Sequence, residues 1–220
     1  QNAFFACDWS YGKLYAVHLK PHGSTYRASF EEFASSRPFP ITDLLVNPAD
    51  GAMYIAYGGR RVQSGLYRIT YVGDESTAPV KPVRKGENER KTRRSLEAYL
   101  QEGAKVASSS EIDFIWKSLG SNDRGIRHAA RVALEKQPVK AWKDRLAAEA
   151  NPVISTAAMI ALARVDAEGS ASEIIAKATS LNYTKTKSRQ TRLDILRSVT
   201  LSLTRGGQPN ASDKAKLLKW

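Results

Sequence analysis

Cysteine is nearly absent from the chain, and this excludes several kinds of site. Cys7 is the only cysteine among the 220 residues, and we expect it to be a small buried strand residue. One thiol cannot form an internal disulfide, and it cannot supply a cysteine-rich zinc site, an iron–sulfur cluster or a haem attachment motif. Long apolar runs are also missing, because none approaches the ~18–20 residues of a membrane span. We therefore expect no disulfide, no metal site and no membrane span within these residues.

Extreme compositions are absent as well. Hydrophobic residues make up 42% of the chain and charged residues 25%, with 14 Gly and 9 Pro. This composition is typical of a folded globular protein rather than of collagen-like, disordered or membrane proteins. The chain begins at Gln1 within an apolar run and ends at Trp220 within a helical pattern. We therefore expect it to be a fragment of a longer protein.

Charge is distributed unevenly along the chain. Residues 1–80 contain 7 Lys/Arg and 7 Asp/Glu, whereas residues 81–220 contain 27 and 15, so the net charge of +12 lies in the second part. The first part also holds most of the aromatic residues, while the second is rich in Ala, Leu, Lys and Arg. These shifts predict a β-rich domain over 1–80, a linker over 81–90 and an α-rich domain over 91–220.

Short apolar and aromatic runs bounded by turn residues predict six strands in the first domain. The segment from Asp43 to Ala56 predicts a hairpin that turns at Asp50-Gly51, a pair found as the inner half of a propeller blade. The six strands would make about one and a half blades at the end of a β-propeller. The predicted strands are Phe4–Asp8, Lys13–Leu19, Tyr26–Phe33, Thr42–Val46, Ala52–Tyr57 and Leu66–Val72.

An internal repeat of 28 residues predicts two similar helices in the second domain. Each begins at a residue suited to an N-cap, Asp123 or Asn151, and Pro152 suits the first helical position. Shorter outer helices are predicted over 111–119 and 139–150, a degenerate pair over 174–181 and 192–204, and a capping helix over 91–102. The fold class expected from these patterns is an α+β multidomain chain in which β-propeller blades precede an α-helical HEAT-like solenoid.

Two segments of the first domain resemble a known bacterial family. They are ACDWSYGKLYAVHL, from Ala6 to Leu19, and GGRRVQSGLYRITY, from Gly58 to Tyr71. The family consists of large exported proteins in which a sugar-dehydrogenase-like six-bladed propeller is followed by HEAT-like repeats and often by a c-type cytochrome domain. The resemblance spans about residues 3–165, and where family members tend to have a glycine this chain has Arg61.

The resemblance implies a periplasmic or otherwise extracytoplasmic sugar- or alcohol-dehydrogenase-like oxidoreductase. Electrons would pass to a c-type cytochrome domain outside this chain, and the parent protein would hold a PQQ-like quinone and haem c. The chain itself would contain no cofactor and no catalytic residue, so we expect it to be non-catalytic alone. The composition leaves an alternative open, in which the parent is a non-enzymatic scaffold that binds protein or carbohydrate.

Several polar and aromatic residues fall at strand ends and loops that the propeller interpretation places at one mouth of a central channel. The guanidinium groups of Arg60 and Arg61 could bind a carboxylate or an acidic quinone through charge-assisted hydrogen bonds. The plainer alternative is a structural ion pair between Asp43 and an arginine. The three histidines have no partner at ligand spacing and suit strand, turn and helix positions. The candidate ligand-binding residues are Asp8, Trp9, Asp43, Arg60, Arg61, Gln63 and Ser64.

A dense basic segment at the start of the second domain predicts a charged surface, and residues 185–192 form a second cluster. Aromatic residues that could stack on bases are not interleaved with either cluster, which favours an acidic protein or polysaccharide over nucleic acid. The rest of the parent chain is the other expected partner. We expect the basic side chains of the capping helix to face solvent. The residues of the basic surface are Lys81, Arg84, Lys85, Arg90, Lys91, Arg93 and Arg94.

Overall fold

Strands and helices occupy separate parts of the chain in the computed structural model, which describes residues 3–59, 61–78, 81 and 83–220. The chain divides into two compact units, Gln1–Lys85 and Gly86–Trp220. Within the described residues, the first unit contains six strands and the second contains eight α-helices. None of the described helices has the length and apolar character needed to cross a membrane. The predicted boundary at residue 80 lies outside the described residues.

Two three-stranded antiparallel sheets make up the first unit, with strand orders β1-β2-β3 and β4-β5-β6. Side chains alternate along β2, where Leu14 and Ala16 are buried between more exposed neighbours, and along β5, where Met53 and Ile55 are buried on either side of the more exposed Tyr54. This alternation follows from the period of two in a strand. The strands are β1 Phe4–Asp8, β2 Lys13–His22, β3 Thr25–Ser35, β4 Ile41–Val46, β5 Met53–Gly59 and β6 Val62–Ile69.

The hairpin predicted around Asp50-Gly51 is confirmed. Val46 pairs with Met53, Gly51 has a φ of 67°, and the Asp50 carboxylate accepts the backbone N–H of Ala52 at 3.0 Å. A positive φ suits glycine because it has no Cβ. The turn was therefore predictable from local sequence.

The last strand begins earlier than predicted, at Val62 rather than Leu66. Gly65 lies inside this strand, opposite Tyr57, and does not form a turn. A Cβ at this position would lie 2.5 Å from the Tyr57 hydroxyl oxygen. The Tyr57 ring stacks on that of Tyr67 with centroids 5.0 Å apart. The glycine makes room for this aromatic pair, a reason that is not visible in the sequence.

The predicted fold class, propeller blades followed by a HEAT-like solenoid, is wrong. A propeller blade has four strands, whereas each described sheet has three, and neither described sheet is closed. The sheets share a small buried core of their own, formed by Leu14, Phe39, Ile41, Met53 and Ile55. The observed arrangement is two small antiparallel sheets followed by helices, an α+β chain.

Eight helices form the second unit within the described residues. The first begins at Glu87, inside the segment predicted as a linker, and ends at Glu97 rather than near 102. The helices are α1 Glu87–Glu97, α2 Ser109–Ser118, α3 Arg124–Glu135, α4 Arg145–Ala148, α5 Pro152–Val165, α6 Ala167–Ser180, α7 Arg189–Gly206 and α8 Ala211–Lys219.

The two repeated N-caps are confirmed. The Asp123 carboxylate accepts the backbone N–H groups of Gly125 and Ile126 at 2.8 and 3.1 Å. The Asn151 side-chain oxygen accepts the corresponding groups of Val153 and Ile154 at 2.9 and 3.5 Å. Each cap therefore satisfies two of the N–H groups that a helix leaves without partners at its start.

The second predicted outer helix does not form as a single helix among the described residues. The outer helix predicted over 139–150 is replaced by a 3-10 turn, Val139–Ala141, and the four-residue α4. Trp142, which is 1% exposed, lies between them in a core to which each helix from α1 to α7 contributes. The helices therefore pack around one common core.

Candidate functional site

Two predicted site residues, Asp8 and Trp9, lie at the end of β1, where Asp8 stabilises a turn. The Asp8 carboxylate accepts the backbone N–H groups of Ser10 and Tyr11 at 3.1 and 3.0 Å. Trp9 is 53% exposed, and its indole N–H donates to the Gly58 carbonyl at 3.4 Å. The ring of Trp9 lines a small cleft of about 320 Å³ on the first unit, together with Phe39.

The other predicted site residues of this unit are spread over β4, β6 and the link between β5 and β6. The Asp43 carboxylate accepts the backbone N–H of Leu44 at 2.7 Å, and among the described residues it forms no ion pair with an arginine. Gln63 and Ser64 are exposed on β6. Arg61 has a φ of 63°, a left-handed conformation that favours glycine. Arg60 lies outside the described residues.

The structure brings two of these predicted residues, Trp9 and Ser64, close to Gly58 near the end of β5. Trp9 donates to Gly58, and a Cβ on Gly58 would lie 2.5 Å from the Ser64 hydroxyl oxygen. Cys7 is exposed rather than buried, since it lies in the edge strand β1. Partial desolvation of its thiol and, to a smaller extent, the Asp43 carboxylate raise the pKa of Cys7. A raised pKa leaves less of the nucleophilic thiolate at neutral pH.

The predicted basic surface divides into exposed and packed side chains. Arg90 is only 9% exposed, contrary to the expectation that it faces solvent, because α1 packs against α3. The Arg93 side chain pairs with Glu97, one turn later, at 3.1 Å. The exposed members are Lys81, Arg84, Lys85, Lys91 and Arg94.

A larger positive site, which the sequence did not predict, lies on the second unit. It is an open cleft of about 640 Å³ between α3, α5 and α7, and we call it the arginine cleft. Five arginines line it: Arg124, Arg127 and Arg131 on α3, Arg164 on α5 and Arg197 on α7. The α3 arginines lie at i, i+3 and i+7, the spacing of one helix face. Because α5 packs against both α3 and α7, its own residues form the floor.

The floor and the α7 wall are less charged than the rim. Val153, Ala157 and Ile160 contribute apolar surface from α5. Gln190 and Asp194 line the α7 side, and the Gln190 amide donates to the Asp194 carboxylate at 3.0 Å. The cleft thus combines an apolar strip with a guanidinium-rich rim.

Hydrogen bonds fix three of the five guanidinium groups. Glu135, whose side chain is 11% exposed, pairs with Arg131 and accepts the Nε–H of Arg164 at 3.0 Å. The Nη1 of Arg127 donates to the Ser121 carbonyl at 2.6 Å. These contacts hold the side chains in place, which lowers the entropy lost when they bind an anion.

The remaining two rim arginines make no ion pair with a described carboxylate. Arg124 and Arg197 are both exposed and lie on opposite sides of α5, on α3 and α7. The five arginines face two described carboxylates, Asp194 in the lining of the cleft and Glu135 beside the rim. This leaves an excess of three positive charges. An arginine-rich surface of this kind binds carboxylates or phosphates through paired N–H donors.

The sequence alone indicates only some of the arginines that line the cleft. The spacing of Arg124, Arg127 and Arg131 marks one polar face of a helix. Arg164 and Arg197 join them only through the packing of α5 against its neighbours.

Within the described part of the chain, no group of three or more histidine, cysteine, aspartate or glutamate residues is placed to hold a metal ion. Comparison with protein families, curated proteins and solved structures finds no match to this chain.

Proposed function

We propose that this chain is a non-enzymatic binding scaffold whose helical unit holds an acidic partner in the arginine cleft. The observation that carries the proposal is the convergence of five arginines from three helices beside two described carboxylates. Like charges one helical turn apart repel each other, as Arg124 and Arg127 do on α3. A bound carboxylate-rich partner would relieve that repulsion.

The general charge of the chain supports the same function at longer range. The whole net charge of +12 belongs to residues 81–220. A positive field of this kind attracts acidic partners and speeds their encounter, and salt screens it over ~10 Å at 0.1 M. The cleft then supplies the fixed contacts that a diffuse field lacks.

The test compares two double variants that remove the same charge. Arg124→Gln with Arg197→Gln neutralises the two rim arginines without a described carboxylate partner. Lys91→Gln with Arg94→Gln neutralises two exposed residues of α1, which do not line the cleft. Binding of fluorescent poly-glutamate to the full chain is measured at ~100 mM salt, where long-range attraction is partly screened.

We expect the cleft double variant to bind roughly tenfold more weakly, because two charge-assisted contacts are lost. The α1 double variant should change the affinity by less than about threefold. Equal losses in the two variants would mean that only the general charge matters and would refute the cleft as the binding site. Circular dichroism of each variant verifies that the helices are intact.

We also propose, from the resemblance, that the parent protein is related to exported dehydrogenase-like proteins that pass electrons to a c-type cytochrome. A quinone, haem c and an extracytoplasmic location belong to that proposal. Its support is the resemblance of residues 6–19 and 58–71 to that family. Expression of the chain and assay for dye-linked sugar oxidation should give no turnover, because the redox groups would lie outside it.

A further inference from the structure

We infer that the occupant of the arginine cleft is an extended segment of an acidic protein in which carboxylate side chains alternate with apolar ones. This inference rests on the proposed function and names its ligand. The carboxylates would pair with the rim, and the apolar side chains would lie on the floor formed by α5. Three properties of the cleft carry the argument: its floor, its uncharged polar groups and its dimensions.

The floor favours a ligand with aliphatic groups. Val153 and Ile160 are partly buried in the cleft, yet among the described residues neither belongs to the helical core or packs against it. Their apolar surface is therefore available to a ligand, and its burial is favourable by about 25 cal/mol per Å². A peptide offers aliphatic side chains for such contacts, whereas the charged backbone of a polyanion does not.

Two uncharged polar side chains of the cleft, Thr156 and Gln190, are already engaged in hydrogen bonds, which disfavours a sugar. The Thr156 hydroxyl donates to the carbonyls of Pro152 and Val153 at 2.9 and 3.0 Å. The Gln190 amide donates to Asp194. Sugar hydroxyls would find few neutral partners here. The Asp194 carboxylate would also repel a polyanion with a charge at every unit, whereas a peptide can place an uncharged residue beside it.

The dimensions suit a short extended peptide. Arg124 and Arg131 are seven positions apart on α3, as Val153 and Ile160 are on α5. Seven positions correspond to about 10 Å along a helix. An extended chain advances about 3.3 Å per residue, so three or four residues cover this distance, with alternate side chains on opposite sides. Alternation would direct one set of side chains to the floor and the other to the rim.

The experiment uses the full chain and two labelled peptides of about eight residues, enough to cover the cleft twice over. One alternates glutamate with leucine, and the other alternates glutamate with serine. A thymidine oligonucleotide and a heparin fragment of similar charge are the competing polyanions. Fluorescence anisotropy at ~100 mM salt gives the affinities, because general charge attraction is then partly screened.

We expect the glutamate–leucine peptide to bind at least about tenfold more tightly than the glutamate–serine peptide, since its leucines bury apolar surface. Ile160→Ala should remove most of that preference without weakening the glutamate–serine peptide. Val153→Thr, which keeps the shape of the side chain, is a second test of the floor. Both variants should retain the helical circular dichroism of the unchanged chain.

The outcomes separate this inference from the proposed function. If both peptides bind equally and both depend on Arg124 and Arg197, the acidic-partner function stands and the inference is overturned. If the oligonucleotide or heparin binds more tightly than the glutamate–leucine peptide, the inference is likewise overturned. If no ligand depends on the two arginines, both proposals are wrong.

Discussion

The two units bury apolar surface to very different extents. Among the described residues, the helical unit has a core of 21 buried apolar residues, whereas the strand unit has a core of five. Trp142 of the helical unit is 1% exposed, while Trp9 of the strand unit is 53% exposed. A tryptophan side chain is therefore buried in the core of the helical unit, whereas a tryptophan of the strand unit lies partly on its surface.

The two units also differ in net charge and in the pairing of their charged side chains. In the strand unit, cross-strand pairs such as Lys13 with Glu32 at 2.6 Å and Arg68 with Asp50 at 3.2 Å accompany a net charge of zero over residues 1–80. In the helical unit, Arg124 and Arg197 face a cleft without a described carboxylate partner. The charges of residues 1–80 therefore balance, whereas residues 81–220 carry an excess of positive charge that suits an acidic partner.

The largest effect is expected from removing a tryptophan from each unit. Trp142→Ala should lower the free energy of unfolding of the helical unit by about 3–5 kcal/mol, because it leaves a large cavity in the core. Trp9→Ala should cost about 1 kcal/mol, because half of the side chain is exposed and its hydrogen bond to the Gly58 carbonyl is long. Urea unfolding followed by far-ultraviolet circular dichroism and by fluorescence measures the two effects.

Similar losses in the two variants would contradict the comparison. If Trp142→Ala prevents folding altogether, Trp142→Phe provides a milder test, since it keeps an aromatic ring and removes the indole N–H that donates to the Gln137 carbonyl at 3.5 Å. That variant should lie between the alanine variant and the unchanged chain.

Local signals in the sequence accounted for much of the fold. The N-caps Asp123 and Asn151 formed as predicted, and so did the turn at Asp50-Gly51, because each depends on hydrogen bonds within a few residues. The β1 strand occupies the predicted residues, Phe4–Asp8. Hydrogen bonds of this kind form between residues that are close in sequence, so a short segment is enough to predict them.

Features that depend on distant residues were not predictable. Gly65 precedes the predicted start of the last strand at Leu66, but it lies within the observed strand, where the Tyr57 ring needs its space. The helical repeat suggested a solenoid, but the second outer helix is reduced to short turns beside the buried Trp142. In the same way, the arginine cleft depends on the packing of three helices. Its arginines are separated by up to 73 positions, from Arg124 to Arg197.

A smaller effect is expected from the helix caps, which make the helical unit depend on local as well as core contacts. Asp123→Ala and Asn151→Ala should each cost about 1 kcal/mol of stability, because two backbone N–H groups lose their acceptor. Asp123→Asn and Asn151→Asp keep an acceptor and are the matched controls. Thermal unfolding should show clear losses only for the alanine variants, and equal losses in the controls would show that the caps do not act through hydrogen bonding.

The smallest effect is expected in the acid sensitivity of the helical unit. At the start of α2, the Glu111 carboxylate lies 2.8 Å from the Lys105 ammonium and accepts both the backbone N–H and the hydroxyl of Ser108 at 2.8 Å. The ion pair with Lys105 is the main cause and the Ser108 hydrogen bonds the next, and together they lower the pKa of Glu111 from 4.5 to about 2.

Because the folded chain holds this carboxylate ionised more strongly than the unfolded chain does, its stabilising effect is complete above a pH of 4.5 and is lost as the pH falls towards about 2. In Glu111→Gln the group no longer titrates, so the melting temperature should fall less steeply over that range than in the unchanged chain. Glu102→Gln, at an exposed position without a described ion-pair partner, should leave the slope unchanged. Parallel melting curves for Glu111→Gln and the unchanged chain would show that the contacts of Glu111 contribute nothing to the acid sensitivity of the helical unit.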